Sequence, residues 1–333
     1  MSPHPRPPRR TPRSFAAALL ALGLAATACT VPQNEGAFPD RSIELIVPWP
    51  PGGSGDQTAR LLVAEARETC GTDIIVRNQE GSIGAVGYQA MSEAEPDGHT
   101  LGIIGMELAI LGHLGVSDIG PEDLRGVMQY SYQPDVFAVP ADSPLENLDE
   151  VFDAAGDDGV KIATAGTGSV YHVSFSGMAM EAGVEEGMDN VPFDGSAPAI
   201  TAALGDQTDM VAVGAAEIAP YIESGDLRAL ATTGQEEVFP GTPTLADQGL
   251  EWDSGAILGV VAPNGTPDER VGFLTECLGQ AQGAEDFSAW MAAQNLDQEF
   301  RDGPDFDSYL DDQHELYGRT VQELGLAPEE EHL

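Results

Sequence analysis

Two glycine-rich turns carry the residues best suited to chemistry. One is Pro48-Trp49-Pro50-Pro51-Gly52-Gly53-Ser54-Gly55-Asp56; the other is Thr164-Ala165-Gly166-Thr167-Gly168-Ser169. Each stands between a short β-type run and a helical segment. Glycine lets the main chain approach a ligand, and a helix N-terminus presents free N–H groups with partial positive charge. Two such corners facing one another could clamp a small anion without any lysine or arginine. That suits a chain in which Lys161 is the sole lysine. Arg60 and Arg77, the nearest cations, could equally be surface partners for acids.

Other chemistry is poorly supplied. A phosphate loop ends in Gly-Lys-Ser/Thr, and no lysine is placed for it. No Gly-x-Gly-x-x-Gly follows the first strand with an acid set for a ribose, and there is no Gly-x-Ser-x-Gly elbow. His99, His113, His172 and His314 are scattered, and His314-Glu315 lacks a second histidine four residues on. The chain therefore reads as a non-enzyme with no catalytic residue, no metal and no cofactor. His172, just after the second turn, either contacts a ligand or caps a helix.

The elements that must position these turns follow from the apolar periodicity. Strands are expected at Ile43-Glu44-Leu45-Ile46-Val47, Ile74-Ile75-Val76 and Leu101-Gly102-Ile103-Ile104, with helices over 56–70 and 84–94. Residues 127–132 read as the exit from a first domain. Strands then recur at Val136-Phe137-Ala138-Val139, Lys161-Ile162-Ala163-Thr164, Asn190-Val191-Pro192-Phe193, Met210-Val211-Ala212-Val213 and Leu227-Arg228-Ala229-Leu230. A last strand over 257–261 leads to Asn264-Gly265-Thr266-Pro267, a helix start, and two more helices occupy about 284–294 and 304–324. Such alternation predicts two α/β sheets, each mainly parallel and flanked by helices.

Composition narrows the partners. Four of the 14 Lys+Arg lie before Cys29, leaving 10 against 55 Asp+Glu and a balance near −45. A surface of that sign repels nucleic acid and anionic membranes. The acids are spread through strands, helices and turns alike, which argues for adaptation to high salt rather than a disordered acidic tail. At the N-terminus, Arg6, Arg9, Arg10 and Arg13 precede a small-residue apolar run over 14–28, too short to span a bilayer and shaped as a signal peptide. Sec and twin-arginine export both remain open. Cys70 and Cys277 are the thiols left beside Cys29; they form a disulfide or stay as two buried free thiols.

The segment Ala26-Thr27-Ala28-Cys29 resembles a bacterial lipoprotein signal, with residues 1–28 removed, Cys29 acylated and 29–37 left as a tether. Across the remaining chain the sequence resembles the substrate-binding proteins of tripartite tricarboxylate transporters, the Bug family. Pro39-Asp40-Arg41-Ser42 followed by Ile43 to Pro48 and Pro51-Gly52-Gly53 carries the first match. Gly81-Ser82-Ile83-Gly84, Pro96-Asp97-Gly98-His99-Thr100-Leu101, Gly166-Thr167-Gly168-Ser169 with His172, Val191-Pro192-Phe193-Asp194-Gly195-Ser196, Gly205-Asp206-Gln207-Thr208-Asp209 and Thr242-Pro243-Thr244 carry the rest in order. That resemblance implies a two-domain type II periplasmic-binding-protein-like fold with the ligand cleft between domains, at 38–134 plus 252–333 and at 135–251.

It also implies a monomeric solute-binding protein that captures a small carboxylate and passes it to membrane permease subunits, touching the membrane only through its lipid. Other functional readings are an input protein for an extracytoplasmic signalling system and a binder of an amino acid or other zwitterion. Carried over residue by residue, the ligand contacts would be Trp49, Pro51, Gly52, Gly53 and Asp56 on one side. Gly166, Thr167, Ser169, His172, Phe193, Gly195, Ser196 and Ala197 would face them. Asp56 could instead be a helix cap. Where the family shows small hydroxyl residues this chain has Gly105-Met106-Glu107; Glu107 facing the cleft would repel a carboxylate and favour a ligand with an ammonium or hydroxyl groups, whereas Glu107 capping a helix or pointing to solvent would say nothing of the ligand. Asp194, another departure, is expected on the rim.

Overall fold

The computed structural model describes residues 38–157, 159–234, 237–294 and 296–328. Residues 1–37, on which the expected signal segment, acylation of Cys29 and tether fall, lie outside the described residues. The first half runs β1 (Ile43–Val47), α1 (Ser54–Thr69), β2 (Ile74–Asn78), α2 (Ala85–Ser92), β3 (Thr100–Ile104) and α3 (Glu107–Ile110). A long β4 (Leu124–Pro140) follows, then α4 (Leu148–Asp157), β5 (Val160–Thr164), α5 (Val170–Ala182), β6 (Met188–Pro192), α6 (Ser196–Leu204), β7 (Met210–Gly214), α7 (Ala215–Ser224) and β8 (Leu227–Thr232). The chain closes with β9 (Gly255–Pro263), α8 (Asp268–Gln282), α9 (Glu285–Ala293), β10 (Arg301–Asp302) and α10 (Gly303–Glu323). No helix among the described residues is long and apolar enough to cross a membrane.

Sequence alternation explains the layering. In β1, Ile43, Leu45 and Val47 enter one core with Ala59, Leu62 and Ala66 of α1, while Ile46 enters another with Tyr88 and Met91 of α2. Strands buried on both faces read as near-continuous apolar runs, and each Leu or Ile so buried contributes about 1.5–3 kcal/mol by leaving water. The second half repeats the plan: α4 and α5 cover one face through Val151, Phe175 and Met178, and α6 and α7 cover the other through Ile200 and Ile218.

The strand order is β2-β1-β3-β9-β4-β7-β5-β6, with β8 and β10 also pairing β4. Parallel pairing holds on the flanks, between β1 and β2, β1 and β3, β5 and β6, and β5 and β7. Around β4 and β9 every pairing is antiparallel. The sequence places a domain exit at 127–132 and a strand only from Val136 to Val139, but β4 is continuous from Leu124 to Pro140. Residues 124–134 pair with β9, and 135–140 pair with β7 and β8. Pro134, which has no N–H to give, sits where the strand changes partners, so its presence costs the ladder little. One strand thus belongs to both halves.

Because β1, β3, β5, β6 and β7 each lead directly into a helix, the N-termini of α1, α3, α5, α6 and α7 gather at the carboxyl ends of those strands. Ligands in open α/β sheets occupy that position.

Candidate functional site

The first turn is held rigid from behind. Gly52 adopts φ +93, a conformation that favours glycine, and its N–H donates to Asp56 Oδ2 at 2.9 Å. Asp56 is buried and fully committed. Arg60 Nε donates to Oδ2 at 3.0 Å, Asn78 Nδ2 donates to Oδ1 at 2.8 Å, and the same Asn78 amide donates to Trp49 O at 3.0 Å. Burial by itself would raise the Asp56 pKa, but the hydrogen bonds from Arg60, Gly52 and Asn78 together hold it below the usual value. Asp56 therefore braces the turn, and Arg60 is spent on the brace.

Trp49 stands at the front of this turn. A Cβ on Gly55 would lie 2.6 Å from Trp49 Cε3, and one on Gly105 would lie 3.1 Å from Trp49 Cζ2 and also strike the Glu107 carboxylate. Both positions must be glycine for the indole to lie where it does. The turn after β1 and the turn after β3 consequently share one wall, made of Trp49, Gly55, Gly105 and Glu107.

The second turn is built on different bonds. Ser169 caps α5, its Oγ accepting from His172 N at 3.2 Å and donating to Gly166 O at 2.8 Å. His172 Nδ1 accepts the Gly168 N–H at 2.9 Å, so the proton of this neutral ring is placed on Nε2. Burial lowers the His172 pKa, which favours that neutral form. His172 is a turn brace, as Asp56 is on the other side. Phe193 N donates to Thr164 O at 2.9 Å and Gly195 N to Phe193 O at 2.9 Å, setting the third corner, with Ser196 and Ala197, beside the second.

A cavity of about 540 Å³ opens where the two halves of the sheet meet. Trp49, Gly53, Ser54, Gly55 and Glu107 line it from one half; Val170, Tyr171, Ala216 and Glu217 line it from the other, above Gln133 of β4 and Ala256 to Leu258 of β9. Of the residues expected from sequence, Trp49, Gly53 and Glu107 are brought together there. Pro51 and Gly52 sit exposed on the same turn, and Asp56 lies behind it. Gly166, Thr167, Ser169, His172, Phe193, Gly195, Ser196 and Ala197 are not among the residues lining the cavity. The second corner reaches the cavity through the first turn of α5 instead, at Val170 and Tyr171.

Sequence reasoning missed Tyr171 and Glu217. Tyr171 Oη donates to Glu217 Oε2 at 2.9 Å, and Gly214 N donates to the same oxygen at 3.1 Å. A signal existed: Gly214-Ala215-Ala216-Glu217 follows β7 as the first two glycine turns follow β1 and β5. Glu107, standing over Gly105, is only partly exposed, and that shielding raises its pKa. No lysine or arginine is among the lining residues. A larger groove of about 1120 Å³ runs along α8 beside Phe300, but β5 to β7 and their helices contribute nothing to it.

Residues 58–326 match the family described as the tripartite tricarboxylate transporter family receptor. The chain belongs to that family. It is 29% identical over 318 residues, covering 94% of this chain and 96% of the relative, to the UPF0065 protein in the gbd 5' region of Cupriavidus necator. A TctC solute-binding protein from Polaromonas, solved without ligand, superimposes with a TM-score of 0.82 at 27% identity, over 86% of this chain and 99% of that one. MatC from Rhodopseudomonas palustris with bound malate gives a TM-score of 0.66 at 25% identity, over 85% and 100%. The architecture is the two-domain type II fold of periplasmic binding proteins, and as a member of this family the chain is a solute-binding receptor of the tripartite tricarboxylate transporter type.

Proposed function

We propose that this receptor captures a small carboxylate in the cavity between its lobes, 38–134 plus 252–333 and 135–251, and releases it to permease subunits in the membrane. The carrying observation is the cavity itself, framed by the N-terminal turns of α1, α5 and α7 and lined by no lysine or arginine. In such a site main-chain N–H groups and helix dipoles must supply the attraction for a carboxylate. The malate held by the R. palustris relative supports this ligand class. Capture is reversible and involves no covalent step; closure of the lobes about β4 would exclude water and strengthen those bonds. Export by the signal segment and acylation of Cys29 would place a monomer beside its permease and raise its local concentration.

Thermal-shift and calorimetric screening against mono-, di- and tricarboxylates and amino acids in high salt tests this reading, with micromolar or tighter binding of at least one member expected. Gly53→Asp is the matched control. Gly53 has an ordinary φ of −73, and a Cβ there would meet only Pro50 O at 3.8 Å, so the fold should tolerate the change. A new carboxylate at the mouth of α1 should weaken binding at least a hundredfold. A folded protein that no carboxylate stabilises would remove the proposal.

A further inference from the structure

The cavity carries more negative charge than capture of a dicarboxylate can use. Glu107 enters from the turn after β3 and Glu217 from the first turn of α7, so each half contributes one carboxylate. Among the described residues neither forms an ion pair. Arg60, the cation nearest the first turn, is held by Asp56 and Asn78. Glu217 has a local role, taking the Tyr171 hydroxyl and the Gly214 N–H. Glu107 has none beyond its own main-chain N–H: α3 is only four residues long, and the carboxylate lies over Gly105 and against Trp49 rather than out in solvent. Both carboxylates line the cavity together with Tyr171, whose hydroxyl donates to Glu217 Oε2 at 2.9 Å.

We infer that this cavity takes a small molecule bearing both a carboxylate and a cationic nitrogen, the nitrogen being held between Glu107 and Glu217 beside the Trp49 ring. The inference rests on the proposed ligand cleft and specifies its ligand class. Gly53, Ser54 and Gly55 at the start of α1 receive the ligand carboxylate, and Glu107 and Glu217 supply the counter-charge for an ammonium. The Trp49 face adds attraction for a cation. A dicarboxylate bound the same way would push its second carboxylate against two acids that no cation pairs among the described residues, in a site partly shielded from water where such repulsion is least screened. Discrimination would then come from the repulsion as much as from the attraction.

The test compares near-isosteric pairs on the full folded protein, by calorimetry at pH 7.5 in high salt: succinate with 4-aminobutyrate, and glutarate with 5-aminovalerate. At least one amino acid should bind ten times or more tightly than its dicarboxylate. Glu107→Gln, which keeps the shape and removes the charge, should weaken the amino acid at least tenfold and leave the dicarboxylate unchanged or tighter. Circular dichroism of the variant confirms that the fold is kept. If a dicarboxylate binds as well as its amino partner, or if Glu107→Gln leaves the ratio unchanged, the inference fails while carboxylate capture stands. If no carboxylate of either kind binds the folded protein, the capture proposal fails with it.

Discussion

Asp135 lies where β4 passes from one half of the sheet to the other, fully buried, with its main-chain N–H on Thr233 Oγ1 at 2.7 Å. Its Oδ2 accepts from Ser254 Oγ at 3.0 Å, Ser254 in turn meets Ser174 Oγ and the Trp252 indole N–H, and Oδ1 finds no hydrogen-bond partner. Burial pushes the Asp135 pKa up to about 7, against the opposing effect of Ser254 and Ser174 and with help from Glu217 and Asp253. The folded state therefore prefers the protonated acid. Its stabilising contribution is complete below the unfolded pKa, near 4, and is lost as pH rises through about 7. Asp135→Asn mimics the protonated form and should gain on the parent as pH rises, by about 1–3 kcal/mol at pH 8 and by little at pH 4. Urea denaturation of both proteins across that range checks it, and a difference that does not change with pH would show that Asp135 does not titrate in the fold. The same residue scale shows why site roles are hard to read from sequence. Asp56 and His172 stand next to ligand-type turns, yet their side chains accept main-chain N–H groups of those turns and hold them in shape. Direction is a property of the packed structure, and spacing along the chain does not reveal it.

At the scale of elements, the strand–turn–helix alternation is the readable part. The boundaries of α1, α9 and α10 fall within two residues of those expected from periodicity, because their apolar stripes recur at the helical period and their flanking turns are marked by Gly, Pro or Asp. β4 is harder, since Gln133-Pro134-Asp135 has the composition of a break. Only the presence of β9 on one side and β7 with β8 on the other makes it a strand. The residues lining the cavity illustrate the same limit. Trp49 and Gly53 are legible from their motif, whereas Tyr171 and Glu217 reach the cavity only because α5 and α7 begin side by side at the ends of β5 and β7. Another long-range tie joins α1 to α8, where Cys70 and Cys277 form a disulfide across 207 residues of sequence and Thr69 Oγ1 donates to Cys277 O at 2.8 Å. Replacing both cysteines with alanine should lower stability by about 2–5 kcal/mol. Ligand affinity should change less than about threefold, because the bond lies at the far end of α1 from Gly53. Paired denaturation and calorimetry separate the two effects, and a large loss of affinity would mean that the disulfide positions the cavity wall.

For the molecule as a whole, charge decides the conditions under which the fold is comfortable. Ten cations face 55 acids after Cys29, and several of those cations, Arg41 with Asp97, Arg67 with Asp73 and Arg77 with Glu44, are engaged in exposed pairs. Such pairs contribute about 0–1 kcal/mol each, so they cannot offset repulsion among the many acids left over. That repulsion acts over distances that salt shortens, from a screening length of about 10 Å at 0.1 M to about 3 Å at 1 M. Unfolding spreads the same charges over a larger volume, so screening helps the compact state more than the unfolded chain. The melting temperature should therefore climb by several degrees or more between 0.1 M and 2 M NaCl. NaBr, which screens equally but is less strongly excluded from protein surfaces, should reproduce most of the rise below about 0.5 M. A melting temperature that stays level or falls in both salts would mean that the acidic surface is already neutralised by bound cations or by pairing. The excess acidity would then say nothing about a saline habitat.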